Sequence, residues 1–151
     1  MIITLYVKGT VYHPAIPAKA MLNYLYALLF AVTRPGLLRA GFDPMAGVVH
    51  ADNQYRDSFV YDVMEAVRPD VDDWLLDFVE NHKFTVKDFY EKRDGGIRLT
   101  LKITPILAET ISLWSEKIES VIERVKAILV GDGSLKKKKV TQLVTDKNLE
   151  T

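Results

Sequence analysis

Apolar residues recur along this chain with a helical period more often than with a strand period. From Ala18 to Val32 they crowd nearly all round the helical wheel, with Met21, Leu22, Leu25, Leu28 and Leu29 as the densest set. A helix apolar on every side belongs in the middle of a bundle. Pro35-Gly36 is the punctuation expected to end it. A second helix is predicted from about Tyr55 to Arg68, stopped by Pro69, because the residue before a proline avoids helical backbone angles. Val71, Trp74, Leu75, Phe78 and Val79 then follow the i, i+3, i+4, i+7, i+8 spacing of a third helix. Thr85 and Asp88 have the spacing of a capping box, which predicts a further short helix. Gly95-Gly96 marks a turn, and Ile97, Leu99, Leu101 and Ile103 alternate as in an extended piece or a hairpin arm. Pro105 opens the longest helix, to about Val130, with the stripe Leu107, Ile111, Trp114, Ile118, Val121, Val125 and Leu129.

The two ends differ from this pattern. Ile3, Leu5 and Val7 alternate weakly, as in a short strand or an ordered arm, and Pro14 and Pro17 punctuate a loop. Beyond Val130 no apolar stripe continues, and Gly131, Gly133 and Lys136 to Lys139 read as a loosely ordered tail. The predicted fold is all-α, a compact helical bundle with at most a small β-hairpin or amino-terminal strand. Its predicted parts are an arm over 1–17, a helical metal- and DNA-binding domain over 18–130, and a lysine-rich tail over 131–151.

Composition narrows the function classes. A chain of 151 residues fits one domain able to bury its own core. Cysteine is absent, which excludes disulfides, thiolate zinc sites and a cysteine nucleophile, and agrees with a cytoplasmic location. Lys plus Arg and Asp plus Glu each total 20. Zero net charge argues against a whole-domain electrostatic footprint for nucleic acid but leaves a local basic groove open. The longest apolar run, Ala20 to Val32, contains Asn23 and is too short and polar to span a bilayer. Lys8 and Gly9 interrupt the only amino-terminal apolar run, so neither a signal peptide nor a membrane role is expected.

Chemistry concentrates between Ala40 and Pro69, AGFDPMAGVVHADNQYRDSFVYDVMEAVRP. His50, Asp62 and Glu65 are the groups in it suited to a hard divalent ion. Ser58, Asp62 and Glu65 fall within about 60° of one another on a helical wheel. Two neighbouring carboxylates repel when bare, and a divalent cation relieves the repulsion. Carboxylates favour magnesium or manganese, and an imidazole tilts the choice toward manganese. The bland alternative is an amphipathic helix whose acids simply meet water. Arg56 and Arg68 are placed either to hold phosphates or to pair with Asp57, Glu65 or Asp70. His13 and His82 stand alone; His82, near a helix end, is read as complementing the helix dipole. Trp74 and Trp114 fall on apolar stripes and read as core. The lysine run reads as a solvated tail or as a phosphate grip.

The middle block resembles the signature of a known family. Gly41, Asp43, Pro44, Gly47 and His50, followed by Arg56, Ser58, Asp62, Glu65, Arg68 and Pro69, are similar to the carboxy-terminal half of the CRISPR spacer-acquisition integrases, CRISPR-associated protein one. Ala20 to Leu29 resembles the same family's alanine-x-leucine-asparagine-tyrosine-glycine-tyrosine helix. The softer resemblance extends from Pro14 to Leu129. It implies CRISPR adaptation by a metal-dependent DNA integrase or endonuclease, in which a 3′-hydroxyl attacks a phosphodiester. His50 and Glu65 match family metal ligands, Asp62 is a supporting ligand or base, and Arg56 and Arg68 are candidates either to hold DNA phosphates or to pair with the acids. Implied partners are DNA, a second copy in a homodimer, a small ferredoxin-like acquisition partner and, here, a separate amino-terminal half. The match also departs. Lys19 stands where an asparagine is usual and Leu25 where a glycine is common. The family's first glutamate ligand has no counterpart, since the first acid is Asp43, and no β-rich amino-terminal domain precedes the match. The chain is therefore expected to be incomplete as an enzyme alone. The alternative is a non-catalytic DNA-binding or interaction remnant.

Overall fold

The computed structural model describes residues 17–47 and 57–130. In chain order these form α1 (Pro17–Arg39), α2 (Ser58–Glu65), α3 (Arg68–Asn81), a 3-10 turn (Val86–Asp88), β1 (Phe89–Glu91), β2 (Ile97–Leu99), α4 (Thr104–Ala108) and α5 (Ile111–Val130). Among the described residues the fold is thus mostly helical with one antiparallel hairpin, as the periodicity predicted. The predicted arm, His13, His50, Arg56 and the lysine tail lie outside the described residues. Two compact units emerge. One comprises 17–27 and 70–110, the other 28–47, 57–69 and 111–130.

In the second unit the core is built from Leu29 and Leu37 of α1, Val60 and Val63 of α2, Val67, and Trp114, Ile118 and Val125 of α5, all at most 1% exposed. Here α1 departs from expectation: it runs straight through Pro35-Gly36 to Arg39. A proline inside a helix deprives the carbonyl four residues back of its donor. That carbonyl belongs to Ala31, and both Ala31 and Pro35 are exposed, so water can satisfy it. Gly36 faces the other way, buried against α5, where an added Cβ would lie 3.0 Å from Ile122 Cδ1. Its lack of a side chain permits the approach that buries Leu37. The longer α1 also corrects the bilayer estimate. By length and composition alone this helix could cross a membrane, although only 33% of its most apolar window is buried here. Nor is it buried on every side: Lys19, Asn23, Ala27 and Arg34 are exposed.

The predicted helix from Pro105 to Val130 is broken into α4 and α5. Thr110 is the reason. Its N–H reaches back only three residues to the Leu107 carbonyl (3.2 Å), and its hydroxyl donates to the same oxygen at 2.6 Å. This tightens the last turn of α4 and stops the regular ladder.

In the first unit Met21 and Leu25 of α1, Val71 and Leu75 of α3, and Ile103 and Leu107 are buried. Tyr26 donates its hydroxyl to Asp72 at 2.7 Å, joining α1 to α3. Trp74 is half-buried instead of lying in the core interior. It stacks on Phe78 with ring centroids 5.0 Å apart, and Phe78 stacks on His82 at 4.7 Å. His82 therefore extends an aromatic series rather than merely complementing the end of α3. Thr85 and Asp88 do form their capping box, over a 3-10 turn instead of an α-helix. The Thr85 N–H donates to Asp88 Oδ2 at 2.6 Å. The hairpin pairs Phe89 with Leu99 and Glu91 with Ile97. Gly95 supplies the positive φ of +79° that its turn requires. The predicted alternation to Ile103 ends at Leu99, because the Ile103 and Thr104 N–H groups both turn back to the Thr100 carbonyl. Leu101 is consequently 90% exposed.

Candidate metal and nucleic-acid site

The approach to α2 is set by the Gly41-Phe42-Asp43-Pro44 turn. Gly41 has φ +84°, and two bonds close the end of α1: Phe42 N–H to the Leu37 carbonyl (3.0 Å) and Gly41 N–H to the Leu38 carbonyl (3.1 Å). This is the Schellman arrangement, which needs a residue free of a Cβ penalty at Gly41. Asp43 Oδ1 then accepts from the Met45 N–H at 2.9 Å, an Asx turn. Pro44 offers its carbonyl to the Phe59 N–H at 2.9 Å, satisfying one of the orphan donors at the start of α2. Phe42 packs edge-on against Phe59, with centroids 5.5 Å apart and an 82° interplanar angle. Arg34 of α1 meets the Asp57 carboxylate at 3.3 Å just before α2. The glycine, aspartate and proline of the motif thus shape the turn that leads into α2.

On α2 the bland reading fails for one acid. Phe59, Val60, Val63 and Met64 are buried as predicted, but so are Ser58 (3% exposed) and Asp62 (0%) on the opposite side of the wheel. A carboxylate withdrawn from water requires polar or cationic company, and Asp62 has an interaction partner. Glu65, one turn on, is about a third exposed and ion-pairs with Arg68 at i+3. Arg68 therefore takes the pairing alternative with Glu65 that the sequence left open. Among the described residues no group of three acids or histidines converges on a metal-binding arrangement. His50 and Arg56 are outside them, so the structure places Asp62, Glu65 and Arg68 on neighbouring turns and leaves the other two unplaced.

As a donor set, Asp62 and Glu65 are hard oxygen ligands three positions apart on one helix, which suits magnesium or manganese. The fit carries a condition. One Glu65 oxygen is engaged by the Arg68 guanidinium, so a divalent ion would share or replace that cation. The Arg34–Asp57 pair has no signal in the sequence, because its members stand 23 positions apart and follow no local spacing rule.

The family model for CRISPR associated protein Cas1 matches residues 12–112 of this chain. The chain belongs to the Cas1 family. Similar proteins include CRISPR-associated endonuclease Cas1 2 of Rhodospirillum rubrum, 34% identical over 106 residues, covering 69% of this chain and 30% of that protein. CRISPR-associated endonuclease Cas1 1 of Pyrobaculum aerophilum is 36% identical over 116 residues, covering 76% of this chain and 34% of its own length. CRISPR-associated endonuclease Cas1 3 of Thermus thermophilus is 30% identical over 119 residues, covering 78% and 34%. The chain thus spans about a third of the length of these Cas1 relatives. A solved structure of a casposase bound to its integration product shares the fold, with a TM-score of 0.65 at 20% identity, covering 92% of this chain and 41% of the casposase. The matched segment contains the whole of the Gly41–Pro69 block, including Asp62 and Glu65.

Proposed function

We propose that this Cas1-family chain supplies the carboxy-terminal, metal- and DNA-binding part of a CRISPR-adaptation integrase or endonuclease. The observation that carries the reading is Asp62, a fully buried carboxylate one turn from Glu65, inside the Cas1-matched segment. In this reading Glu65 and His50 bind a magnesium or manganese ion, and Asp62 supports them as ligand or base. Bound there, the ion would stabilise negative charge on a phosphodiester undergoing displacement. The chain's own residues do the rest. Arg68 holds Glu65 in position until the ion binds, and Arg56 and Arg68 contact DNA phosphates. The helical segment 18–130 forms the working domain.

The partners in this reading are DNA, a second copy of the chain, the small ferredoxin-like acquisition protein and a polypeptide carrying the family's glutamate ligand, which has no counterpart among Met1–Ala40. The similar casposase was solved with integration product bound, which is compatible with DNA as the substrate here. The expected test is complementation. This chain is mixed with an amino-terminal half bearing the glutamate, and strand transfer is assayed with manganese. Activity should appear on mixing and vanish in His50→Ala or Glu65→Ala. Robust metal-dependent transfer by this chain alone would overturn the need for an added ligand. The second reading, a non-catalytic DNA-binding remnant, is favoured by the Glu65–Arg68 ion pair, which satisfies Glu65 without metal. Mixing would then restore no activity while DNA binding persisted.

A further inference from the structure

The outer side of α5 carries an open groove of about 510 Å³, lined by Ser112, Leu113, Ser115, Glu116 and Glu119. Its volume lies within the range of about 300–1,000 Å³ usual for ligand clefts. Ser112, Ser115, Glu116, Glu119 and, one turn on, Glu123 fall within about 100° of one another on the helical wheel. All three glutamates are exposed. Glu119 has Arg39 of α1 no nearer than 3.9 Å, and no ion pair or hydrogen bond among the described residues engages Glu116 or Glu123. Lys126 ends the row, one turn before Val130. Both charged side chains lining the groove are thus acidic, and the row beyond adds a third acid before any cation appears. Such a groove repels phosphate and accepts a cationic occupant.

The occupant that fits is carried by the same chain. Lys136 to Lys139 are four consecutive cations that begin six residues past Val130, where α5 ends. An extended chain covers about 3.3–3.6 Å per residue, so these lysines can lie up to about 20–30 Å from Val130. Glu123, Glu119 and Glu116 stand seven, eleven and fourteen residues before Val130, about 10, 17 and 21 Å back along the helix axis. Gly131 and Gly133 suit a reversal of the chain between the two. The spacings also match. Glu116 to Glu123 spans about 10 Å of helix. Lys136 to Lys139 spans about 10 Å when extended, with alternate side chains on one face about 7 Å apart. Running antiparallel to α5, Lys136 falls near Glu123 and Lys139 near Glu116. The next residue, Val140, then reaches the apolar wall that Leu113 gives the groove.

We propose that Lys136–Lys139 fold back onto this groove of the same molecule as an electrostatic strap, a state in which they are withheld from other anions. The strap goes beyond the function argued above and requires neither metal nor DNA. Each exposed ion pair shifts an equilibrium by only about 1.4- to 5-fold, so proximity is the readout and not melting temperature. The natural chain has no cysteine, so Thr141→Cys in the full chain takes a single nitroxide label. Amide intensities are compared before and after the nitroxide is reduced. A tail that only drifts past its anchor would dim the Val130 end of α5 most; a docked strap should dim Ser112 to Glu119 most. Glu116→Gln alone should lower the docked-to-free ratio about twofold. Adding Glu119→Gln and Glu123→Gln should restore the intensities. So should Lys136→Ser, Lys137→Ser, Lys138→Ser and Lys139→Ser together, and so should about 1 M salt, where charges act over only about 3 Å. The glutamates are exposed, and an unchanged melting temperature confirms an intact fold. Isotope-labelled chain without nitroxide, mixed with unlabelled chain carrying it, should lose no intensity. Three results would each overturn the proposal: dimming greatest at the Val130 end, dimming that the triple glutamine variant leaves unchanged, or dimming in the mixed sample, which would give the groove to a second copy's tail.

Discussion

Glu65→Gln removes one charge and keeps the side-chain shape, so it separates metal binding from packing. Glu65 and Arg68 are each about 30% exposed, and a pair at that depth contributes about 0.2–1 kcal/mol. Without metal the variant should therefore lose only about 0.5 kcal/mol in urea unfolding. The larger effect lies in linkage. An ion that binds only the folded chain, at ten times its dissociation constant, adds about 1.4 kcal/mol. For a domain of this size that raises the melting temperature by about 3–6 °C. Manganese titrations followed by differential scanning calorimetry should show this rise in the natural chain and its near absence in Glu65→Gln. Arg68→Ala makes the complementary change. It leaves Glu65 without its guanidinium, one turn from buried Asp62, so metal-free stability falls while the manganese-induced rise grows. A full manganese shift retained in Glu65→Gln, or a smaller shift in Arg68→Ala, would refute the idea that the ion competes with Arg68 for Glu65.

Trp114 is fully buried, so Trp114→Ala should cost about 3–5 kcal/mol, read from chemical denaturation. Gly36→Leu should disrupt the unit more than Gly36→Ala, because branches beyond Cβ must displace Ile122, whose Cδ1 already stands 3.0 Å from the Cβ position; thermal melts should rank them. The Gly96 N–H, followed in effect by Lys92 and Arg98, holds the Asp94 carboxyl below its ordinary pKa. That contribution to the hairpin turn is present above the ordinary value and is lost as pH falls through the lowered one, visible in the Gly96 amide resonance. Deleting 131–151 should leave the melting temperature nearly unchanged, since no apolar stripe continues there; a salt-sensitive loss of DNA affinity would mark Lys136–Lys139 as phosphate contacts.

Helices were legible where the apolar spacing was long, as at Val71–Val79 and Trp114–Val125. Their ends were not, because tertiary contacts decided them. Pro35 reads as a stop, but burial of Leu37 and the bare face of Gly36 against Ile122 carry α1 past it. Thr110 reads as an ordinary helical residue, but its hydroxyl captures the Leu107 carbonyl and ends α4. The pair Asp62 and Glu65 was legible from the wheel, whereas the complete burial of Asp62 was not. A polar residue declares its side of a helix, and only the fold declares what covers that side.

The Phe59–Pro44 bond and the Phe42–Phe59 ring contact pin together the two ends of residues 45–58. Fixing those ends in this way puts the register of α2, and with it the positions of Asp62 and Glu65, under the control of a backbone carbonyl and two phenyl rings, none of which can titrate.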